Sequence, residues 1–219
     1  MDGVIVDSEI WWDEVRSTFA AANGREWTGD DQAAVMGANS PGWARIMRER
    51  LHLELPEATI ERAIVDGVAE RYRREGAPRI DGAIEAVRRI AADRPVALAS
   101  SSHREVIDEA LAATGLVDVF SAVVSSDEVA EGKPAPDVYF EAARRLGVAP
   151  SACLVVEDSY NGVRAGKAAG MVVVLVPNGS VPPAVGTAAL ADLVLERLAD
   201  LDPDRIDPTL PTAASAEGT

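Results

Sequence analysis

The sequence has little of what a secreted or membrane protein needs. It contains a single cysteine among 219 residues, so no intramolecular disulfide can form. That residue, Cys153, stands in a short apolar run, which predicts a buried thiol in a strand. No apolar run approaches the roughly 18 residues of a membrane helix, and no signal peptide is recognisable. We therefore expect a cytoplasmic protein.

Positive charge is also scarce. Lys and Arg total 21 against 36 Asp and Glu, which gives a net charge of −15. This balance disfavours nucleic acid and anionic membrane surfaces as partners, because both would be repelled. A small anionic substrate could bind only where a metal ion or a few cationic side chains offset the negative electrostatic potential of the protein. Hydrophobic residues, by contrast, make up 47% of the chain, so a sizeable core is expected.

The first third of the chain is patterned as consecutive helices. Trp11, Val15 and Phe19 recur at four-residue spacing and Gly24 follows them, which predicts a helix that ends there. Similar periodicity continues without a strand pattern over about residues 30–37, 40–51 and 56–75. Residues 10–79 are therefore predicted to form a small helical bundle.

The pattern changes after residue 80, where apolar runs alternate with helical segments. The runs predict strands at residues 96–99, 122–124, 152–156 and 171–176. Continuous apolar strands of this kind are typical of a parallel sheet covered by helices on both faces. We therefore expect an α/β core, with ligands bound at the carboxyl ends of its strands.

Polar residues stand beside these strands in four clusters: Asp2-Gly3, Ser100-Ser101-Ser102, Lys133-Pro134 and Glu157-Asp158. Taken alone, Asp2-Gly3 and Glu157-Asp158 are explained equally well by a frayed terminus and a helix cap. The serine run and Lys133-Pro134, taken alone, are better explained by a strand-to-helix turn and a surface loop. Together they would bring a hydroxyl, an ammonium and carboxylates to one sheet edge. Phosphoryl transfer requires these groups: carboxylates for Mg²⁺, a lysine and a hydroxyl for phosphoryl oxygens, and an acid for the leaving oxygen.

Four segments contain these clusters, in the chain order Asp-Gly-Val-Ile-Val-Asp-Ser-Glu, Ala-Leu-Ala-Ser-Ser-Ser, Gly-Lys-Pro-Ala-Pro-Asp and Val-Glu-Asp-Ser-Tyr-Asn-Gly-Val. In sequence and in order, these segments resemble the motifs of the haloacid dehalogenase superfamily. The nearest resemblance is to the branch of phosphoglycolate-type phosphatases and β-phosphoglucomutase. It implies a Rossmann-like core of residues 1–9 and 80–203, with residues 10–79 inserted as a helical cap. Residues 204–219 are expected to be a flexible tail, because they are rich in Pro, Thr, Ala and Ser.

The resemblance also implies which residues bind the substrate. Ser100, with Ser101 beside it, and Lys133 would bind the transferring phosphoryl group of a small phosphorylated metabolite. The bond from Lys133 to Pro134 is expected to be cis, as in related enzymes.

The same resemblance implies a magnesium site and a general acid/base. Asp158 would ligate Mg²⁺, with Glu157 beside it either as a ligand or as a support for the ligands. Asp2 would act as the general acid/base, and its carbonyl would also contact the metal.

The sequence departs from the family pattern at its first motif, Asp-x-Asp-Gly. Met1 occupies the x position, so the nucleophilic aspartate would be the residue before Met1, and the preceding central strand is missing too. A strand of about five buried apolar residues contributes roughly 8–15 kcal/mol, comparable with the stability of a whole domain. We therefore expect that the natural protein begins upstream and that Met1 is internal. A real truncation, with a catalytically silent binding protein as its product, is the alternative.

The type of reaction is predicted from three positions. An acid at Asp2 favours phosphate chemistry over dehalogenation, because a leaving alkoxide needs a proton. A β-phosphoglucomutase would carry a histidine and an arginine where this chain has Trp12 and Ser40, so a phosphatase is favoured over a phosphomutase. Arg45 or Arg79 could take over the role of that arginine, although an ordinary position on a solvent-exposed helix face is the simpler explanation for both residues.

The remaining aromatic and imidazole side chains are assigned mostly structural roles. Trp11, Trp12, Trp27 and Trp43 are expected in the core of the cap rather than at the substrate. His103 is placed at a surface cap of a helix in preference to the site, and His52 on the surface.

Overall fold

The computed structural model describes residues 1–35 and 40–206. Within those residues the α-helices are α1 (Glu9–Ala22), α2 (Gly29–Val35), α3 (Ser40–Arg50), α4 (Glu57–Glu75), α5 (Ala83–Asp93), α6 (Arg104–Thr114), α7 (Asp137–Leu146), α8 (Tyr160–Ala168) and α9 (Thr187–Leu190). The strands are β1 (Ala97–Ser100), β2 (Ala122–Ser125), β3 (Leu154–Glu157), β4 (Val172–Leu175) and β5 (Leu193–Val194). The expected end of α2 near Gly37 lies outside the described residues, as does the side chain of Ser40. None of the helices in the described part has the length and apolar character of a membrane span.

Aliphatic and aromatic side chains hold the helical part together. Ile60, Ile64, Val68 and Tyr72 lie on one face of α4, and each is at most 1% exposed. Their four-residue spacing places them on that face, and each buried side chain contributes about 1.5–3 kcal/mol. The ring of Trp11 meets Tyr72 edge-on, with 5.1 Å between ring centroids. This contact joins α1 to α4.

The tryptophans belong to this core, as predicted. Trp11, Trp12 and Trp43 are buried, and Trp27 is half-buried against the same cluster. The guanidinium of Arg16 lies 5.4 Å from the Trp12 ring and 5.6 Å from the Trp43 ring. Two aromatic faces therefore surround a cation, which is a favourable arrangement when the cation is removed from water.

The strands form two parallel sheets, where the sequence predicted one. β1 pairs in parallel with β2, and β3 pairs with β4, which pairs with β5. Among the described residues no strand lies between β1 and β3, so the sheet is divided there. The class, α/β with parallel strands, is confirmed. β5 was not predicted, because a strand of two residues leaves no periodic signal.

Helices cover both faces of the larger sheet. Val173 and Leu175 of β4 pack into one apolar cluster, while Val174 and the following Val176 pack into the other. This alternation follows from the two-residue period of a strand. All four residues of β4 are buried, which explains their continuous apolar run.

The two chain segments that connect the helical part with the α/β part run side by side. The amide of Asp7 donates to the carbonyl of Pro78 at 2.7 Å, and the amide of Ile80 donates to the carbonyl of Ile5 at 3.0 Å. These segments lie where the sequence analysis placed the borders of the cap, and the division into domains stays a prediction.

Two details differ from the sequence analysis. Cys153 precedes β3 instead of lying within it, and it is half-buried, with its thiol 3.5 Å from the carbonyl of Ala149. Partial burial raises the pKa of that thiol. At the other end, the expected tail begins with Asp204, which pairs with Arg94 at 2.7 Å. Residues 207–219 lie outside the described part.

Candidate active site

A tight turn at the N-terminus positions Asp2. The amide of Ile5 donates to the carbonyl of Met1, and the amide of Gly3 donates to the carbonyl of Val6, both at 2.8 Å. Gly3 has a φ of +73°, a conformation that glycine adopts at little cost. The turn therefore fixes the backbone on both sides of Asp2.

The carboxylate of Asp2 accepts two serine hydroxyls. One is that of Ser8, which is fully buried, and the other is that of Ser102 at 2.7 Å. These two hydrogen bonds fix the position of the Asp2 carboxylate. Neither serine was assigned a role from the sequence. Ser102 belongs to the serine run and Ser8 to the first motif, so their proximity to Asp2 needed the fold.

The serine run after β1 directs the hydroxyl of Ser102 to Asp2. Ser100, the last residue of β1, is 3% exposed, and its hydroxyl oxygen accepts the amide of Ser102 at 3.1 Å. Ser101 is exposed. Ser102 rather than Ser101 therefore contacts Asp2, because alternate residues after a strand point in opposite directions. The assignment of Ser101 to the substrate stays a prediction.

Lys133 is held between the two sheets. Its ammonium donates to the carbonyl of Ala99 at 3.1 Å and to Oε1 of Glu157 at 2.5 Å. It also lies 4.9 Å from the ring centroid of Tyr139, whose hydroxyl donates to the same Glu157 oxygen at 2.6 Å. The peptide bond to Pro134 is cis, as expected. Tyr139 was not singled out from the sequence because its spacing in α7 is that of an ordinary core residue.

Glu157 is fully engaged by neighbouring donors. Its second oxygen accepts the hydroxyl of Ser159 at 3.0 Å and the amide of Asp158 at 3.2 Å. Burial acts to raise the pKa of Glu157, but the charge of Lys133 and the hydrogen bonds of Lys133 and Tyr139 outweigh it and lower this pKa. Its predicted place beside the metal, as a ligand or as a support for the ligands, stays a prediction. In the structure its carboxylate accepts from Lys133, Tyr139 and Ser159.

Asp158 lies directly against the N-terminal turn. A Cβ added to Gly3 would lie 1.8 Å from Oδ2 of Asp158, so the carboxylate fills the space that a side chain at this position would need. Burial, and then the negative charge of Glu157, raise the pKa of Asp158. Asp2, Glu157 and Asp158 thus form a region of excess negative charge that a cation would relieve.

The family follows from comparison with known proteins. Residues 1–170 match the haloacid dehalogenase-like hydrolases. The chain belongs to this family. It is 35% identical over 212 residues to the probable pseudouridine-5'-phosphatase of Drosophila melanogaster, covering 94% of this chain and 90% of that protein. The family and the hydrolase class expected from the motifs are therefore confirmed.

One further relative and one solved structure are also similar to this chain. The bifunctional riboflavin kinase/FMN phosphatase of Arabidopsis thaliana is 33% identical over 203 residues, which cover 92% of this chain but 52% of that protein, so the chain spans about half its length. The crystal structure of CbbY from Rhodobacter sphaeroides in complex with phosphate superposes with a TM-score of 0.81 at 24% identity, covering 92% of this chain and 93% of that one. The second likeness concerns the fold alone.

The helical part of this hydrolase brings Tyr72 close to Asp2. The tyrosine is 1% exposed, and its hydroxyl lies beside Asp2 and Ser8 without a hydrogen bond of good geometry among the described residues. Burial, and then the negative charge of Asp2, raise the pKa of Tyr72. An unpaired buried hydroxyl beside the candidate site is unusual, since most such groups are satisfied.

His103 is the N-cap residue of α6, as predicted, but it is half-buried rather than on the surface. It precedes α6, and its side chain is 17% exposed between Oε1 of Glu61 at 3.0 Å and Oδ2 of Asp127 at 2.9 Å. Glu61 belongs to α4, so the imidazole bridges the helical part and the α/β part. The contact with Glu61 was not predicted, because the packing of α4 on α6 has no local signal in the sequence. His52 is exposed, as expected.

Proposed function

We propose that this hydrolase is a Mg²⁺-dependent phosphatase of a small phosphorylated metabolite. The observation that carries the proposal is the convergence of Asp2, Lys133 and Asp158 on the ends of β1 and β3. Lys133 contacts both strands, and Asp158 lies against the residue after Asp2. Such a convergence of charged groups at strand ends suits an anionic ligand with a metal ion.

The donor set fits magnesium. Among the described residues no cluster of three His, Cys, Asp or Glu side chains could hold a metal alone. Mg²⁺ does not need one, since it commonly uses one or two carboxylates and completes its octahedron with water and phosphate oxygens. Asp158 and Asp2 would hold the ion, and the ion would neutralise charge on the phosphoryl oxygens.

The protein's own residues divide the remaining work. Ser100 and Lys133 would bind the transferring phosphoryl group, because a hydroxyl and an ammonium at the strand ends suit its oxygens. Asp2 would give a proton to the leaving oxygen and later take one from water. The hydroxyls of Ser8 and Ser102 hold its carboxylate in place for both transfers.

The nucleophile is proposed to be an aspartate that immediately precedes Met1 in a longer form of the protein. Asp2 is held by two serines, and Glu157 is held by Lys133, Tyr139 and Ser159, so neither is free to attack phosphorus. Loss of a covalent nucleophile typically lowers turnover by several orders of magnitude. We therefore expect the chain that starts at Met1 to be nearly inactive.

A phosphomutase is less well supported. Trp12, at the position where a mutase would carry histidine, is 7% exposed and faces Arg16. Arg79, one of the proposed substitutes for the mutase arginine, donates to the carbonyl of Ala113 at 3.1 Å instead. Neither residue is placed to grip a second phosphate.

Phosphate release from a panel of sugar, nucleoside and flavin phosphates would test the proposal. The protein should carry the upstream strand and its aspartate, with Asp158→Asn as the matched control. We expect Mg²⁺-dependent turnover of at least one small phosphate and its loss in the control. A folded extended protein that releases no phosphate from any of them would refute the proposal.

A further inference from the structure

The chain contains two lysines, Lys133 and Lys167, and each forms an ion pair with a carboxylate. The ammonium of Lys133 lies 2.5 Å from Oε1 of Glu157, and that of Lys167 lies 2.6 Å from Oδ1 of Asp192. All four side chains are at most 16% exposed. The two pairs are therefore similar in length and burial, and they differ in what surrounds them.

The ion pair of Lys167 is closed on itself. Within the described part of the chain, Oδ1 of Asp192 accepts from Lys167 alone, and Oδ2 accepts the amide of Val173 at 2.8 Å. Lys167 stands in the last turn of α8 and Asp192 just before β5, so the pair joins a helix to the edge of a sheet. The charge of one carboxylate oxygen is directed at one ammonium, as expected of a structural contact.

The ion pair of Lys133 differs because its carboxylate oxygen has a second donor. The hydroxyl of Tyr139 donates to Oε1 of Glu157 at 2.6 Å, beside the ammonium of Lys133. Hydrogen bonds to an ionised carboxylate are short and strong, so the hydroxyl takes up part of the charge of this oxygen. The ammonium is therefore neutralised less completely than that of Lys167.

The ring of Tyr139 also faces the ammonium. Nζ of Lys133 lies 4.9 Å from the ring centroid, a distance at which a cation is attracted to an aromatic face. Tyr139 stands in the first turn of α7, is 6% exposed and packs into an apolar cluster with Val138 and Val155. Close packing leaves the ring little freedom, so its face and its hydroxyl are both fixed relative to Lys133.

The ammonium of Lys133 keeps a donor for a ligand. A lysine has three N–H groups and no acceptor. Among the residues that the structure describes, two oxygens accept from it: the carbonyl of Ala99 in β1 at 3.1 Å, and Oε1 of Glu157 at the end of β3. The third donor is available at this edge of the sheets, where ligands bind in folds with parallel strands.

Glu157 can act as a fixed point because its other oxygen is also held. Oε2 accepts the hydroxyl of Ser159 at 3.0 Å. A Cβ added to Gly162 would lie 1.9 Å from Cδ of Glu157, so the backbone of α8 packs directly against the carboxylate. If the Tyr139 hydroxyl were removed, Oε1 would keep Lys133 as its single donor and would draw the ammonium towards itself.

We propose that Tyr139 is a positioning residue for Lys133. Its hydroxyl shares Oε1 of Glu157 with the ammonium, and its ring holds the ammonium from another side, so that Lys133 keeps charge and one N–H for a phosphoryl oxygen. Phenylalanine would fill the same space but would leave the ammonium to Glu157 alone. The proposal deepens the proposed function and rests on it for one point, namely that the ligand of Lys133 is a phosphoryl group.

The small number of lysines allows a direct test on the chain as it stands. Lysine-selective isotope labelling gives two side-chain signals in NMR spectra, and Lys167→Arg assigns them. Tyr139→Phe should shift the signal of Lys133 and leave that of Lys167 in place, because the ring current acts strongly on an ammonium that moves 4.9 Å from a ring. An unchanged Lys133 signal would overturn the proposal, whatever the activity of the protein.

Thr114→Val is the control for a general loss of stability. The Thr114 hydroxyl is buried and donates to the carbonyl of Ala110 at 2.7 Å within α6, a helix that carries neither lysine. This variant also loses a buried hydrogen bond, but both lysine signals should stay in place. A shift of the Lys133 signal as large as that in Tyr139→Phe would show that the signal follows stability rather than the tyrosine hydroxyl, and would overturn the proposal.

Titration with inorganic phosphate and Mg²⁺ separates this proposal from the proposed function. Phosphate should shift the Lys133 signal saturably, and Tyr139→Phe should raise the dissociation constant about five- to tenfold. Equal dissociation constants would overturn the positioning role, while phosphate binding by Lys133 would stand. A Lys133 signal that responds to Tyr139→Phe but not to phosphate would support the positioning role and refute the part given to Lys133 in the proposed function.

Discussion

The ammonium of Lys133 lies 2.5 Å from Oε1 of Glu157, and the two side chains are only 9% and 7% exposed. A buried pair of this kind is costly to break, because the remaining charge is left without a partner. It also connects the two sheets, since Lys133 reaches from the carbonyl of Ala99 on β1 to the end of β3. The lysine that we propose to bind phosphate is thus held by contacts with both sheets.

Breaking this pair should destabilise the protein. We expect Glu157→Gln to lower the free energy of unfolding by about 3–5 kcal/mol, measured by urea denaturation. The control is Arg197→Met, which breaks an exposed pair with Asp200, with side chains 59% and 44% exposed, and should change the stability far less. Similar losses in the two variants would show that the Lys133 pair is not a buried contact.

Two buried tyrosines should respond differently to loss of the hydroxyl. Tyr72→Phe removes a group without a partner among the described residues, so its stability should stay within about 0.5 kcal/mol of the parent or rise. Tyr139→Phe removes a hydrogen bond of 2.6 Å to a carboxylate and should cost about 1.5–3 kcal/mol. Equal costs would mean that the Tyr72 hydroxyl has an unrecognised partner.

Gly3→Ala should damage both the turn and the carboxylate beside it. The added methyl group would lie 1.8 Å from Oδ2 of Asp158, and φ is +73°. Gly24→Ala is the matched control, because φ is +68° there and nothing lies within 4 Å. Thermal denaturation with and without Mg²⁺ should show a larger loss of Tm and a smaller Mg²⁺ effect for Gly3→Ala. Equal effects in the two variants would argue against this placement of Asp158.

Acid should remove part of the stability of the helical part. Hydrogen bonds from Thr28 lower the pKa of Asp31 below 3.8. Burial of the carboxylate opposes this shift, and the hydrogen bond and charge of Arg50 add to it. The pKa of Asp31 is lower in the folded state than in the unfolded state, so its ionised carboxylate stabilises the fold. This stabilisation is fully present at pH values above the unfolded-state pKa, and it is lost as the pH falls through the folded-state pKa. Asp31→Asn should therefore be less stable than the parent at pH 7, and the difference should shrink below about pH 4. A difference that is independent of pH would contradict this assignment.

The sequence predicted the elements better than their arrangement. The apolar runs located β1 to β4 and the four-residue spacing located α4, because both signals are local. The split between β1 and β3 has no local signal, since it depends on which strands pair. β5 has only two residues and leaves no pattern.

The candidate site was predicted in part for the same reason. The motifs indicated Asp2, Ser100, Lys133 and Asp158, because each stands beside a strand end or in a recognisable segment. The contacts of Ser8, Tyr139 and His103 were missed, since they join residues distant in sequence. The contact of Ser102 with Asp2 was not predicted, because a run of three serines does not show which hydroxyl faces Asp2.

Mg²⁺-dependent hydrolysis of an aryl phosphate tests the central claim most directly. Three proteins should be compared: the chain that starts at Met1, the chain extended by an apolar strand ending in Asp, and the same extension ending in Asn. We predict that only the Asp extension turns over, faster than the other two by at least about 10³-fold. Equal activity of the chain that starts at Met1, or a folded Asp extension that is inactive with Mg²⁺, would contradict the account.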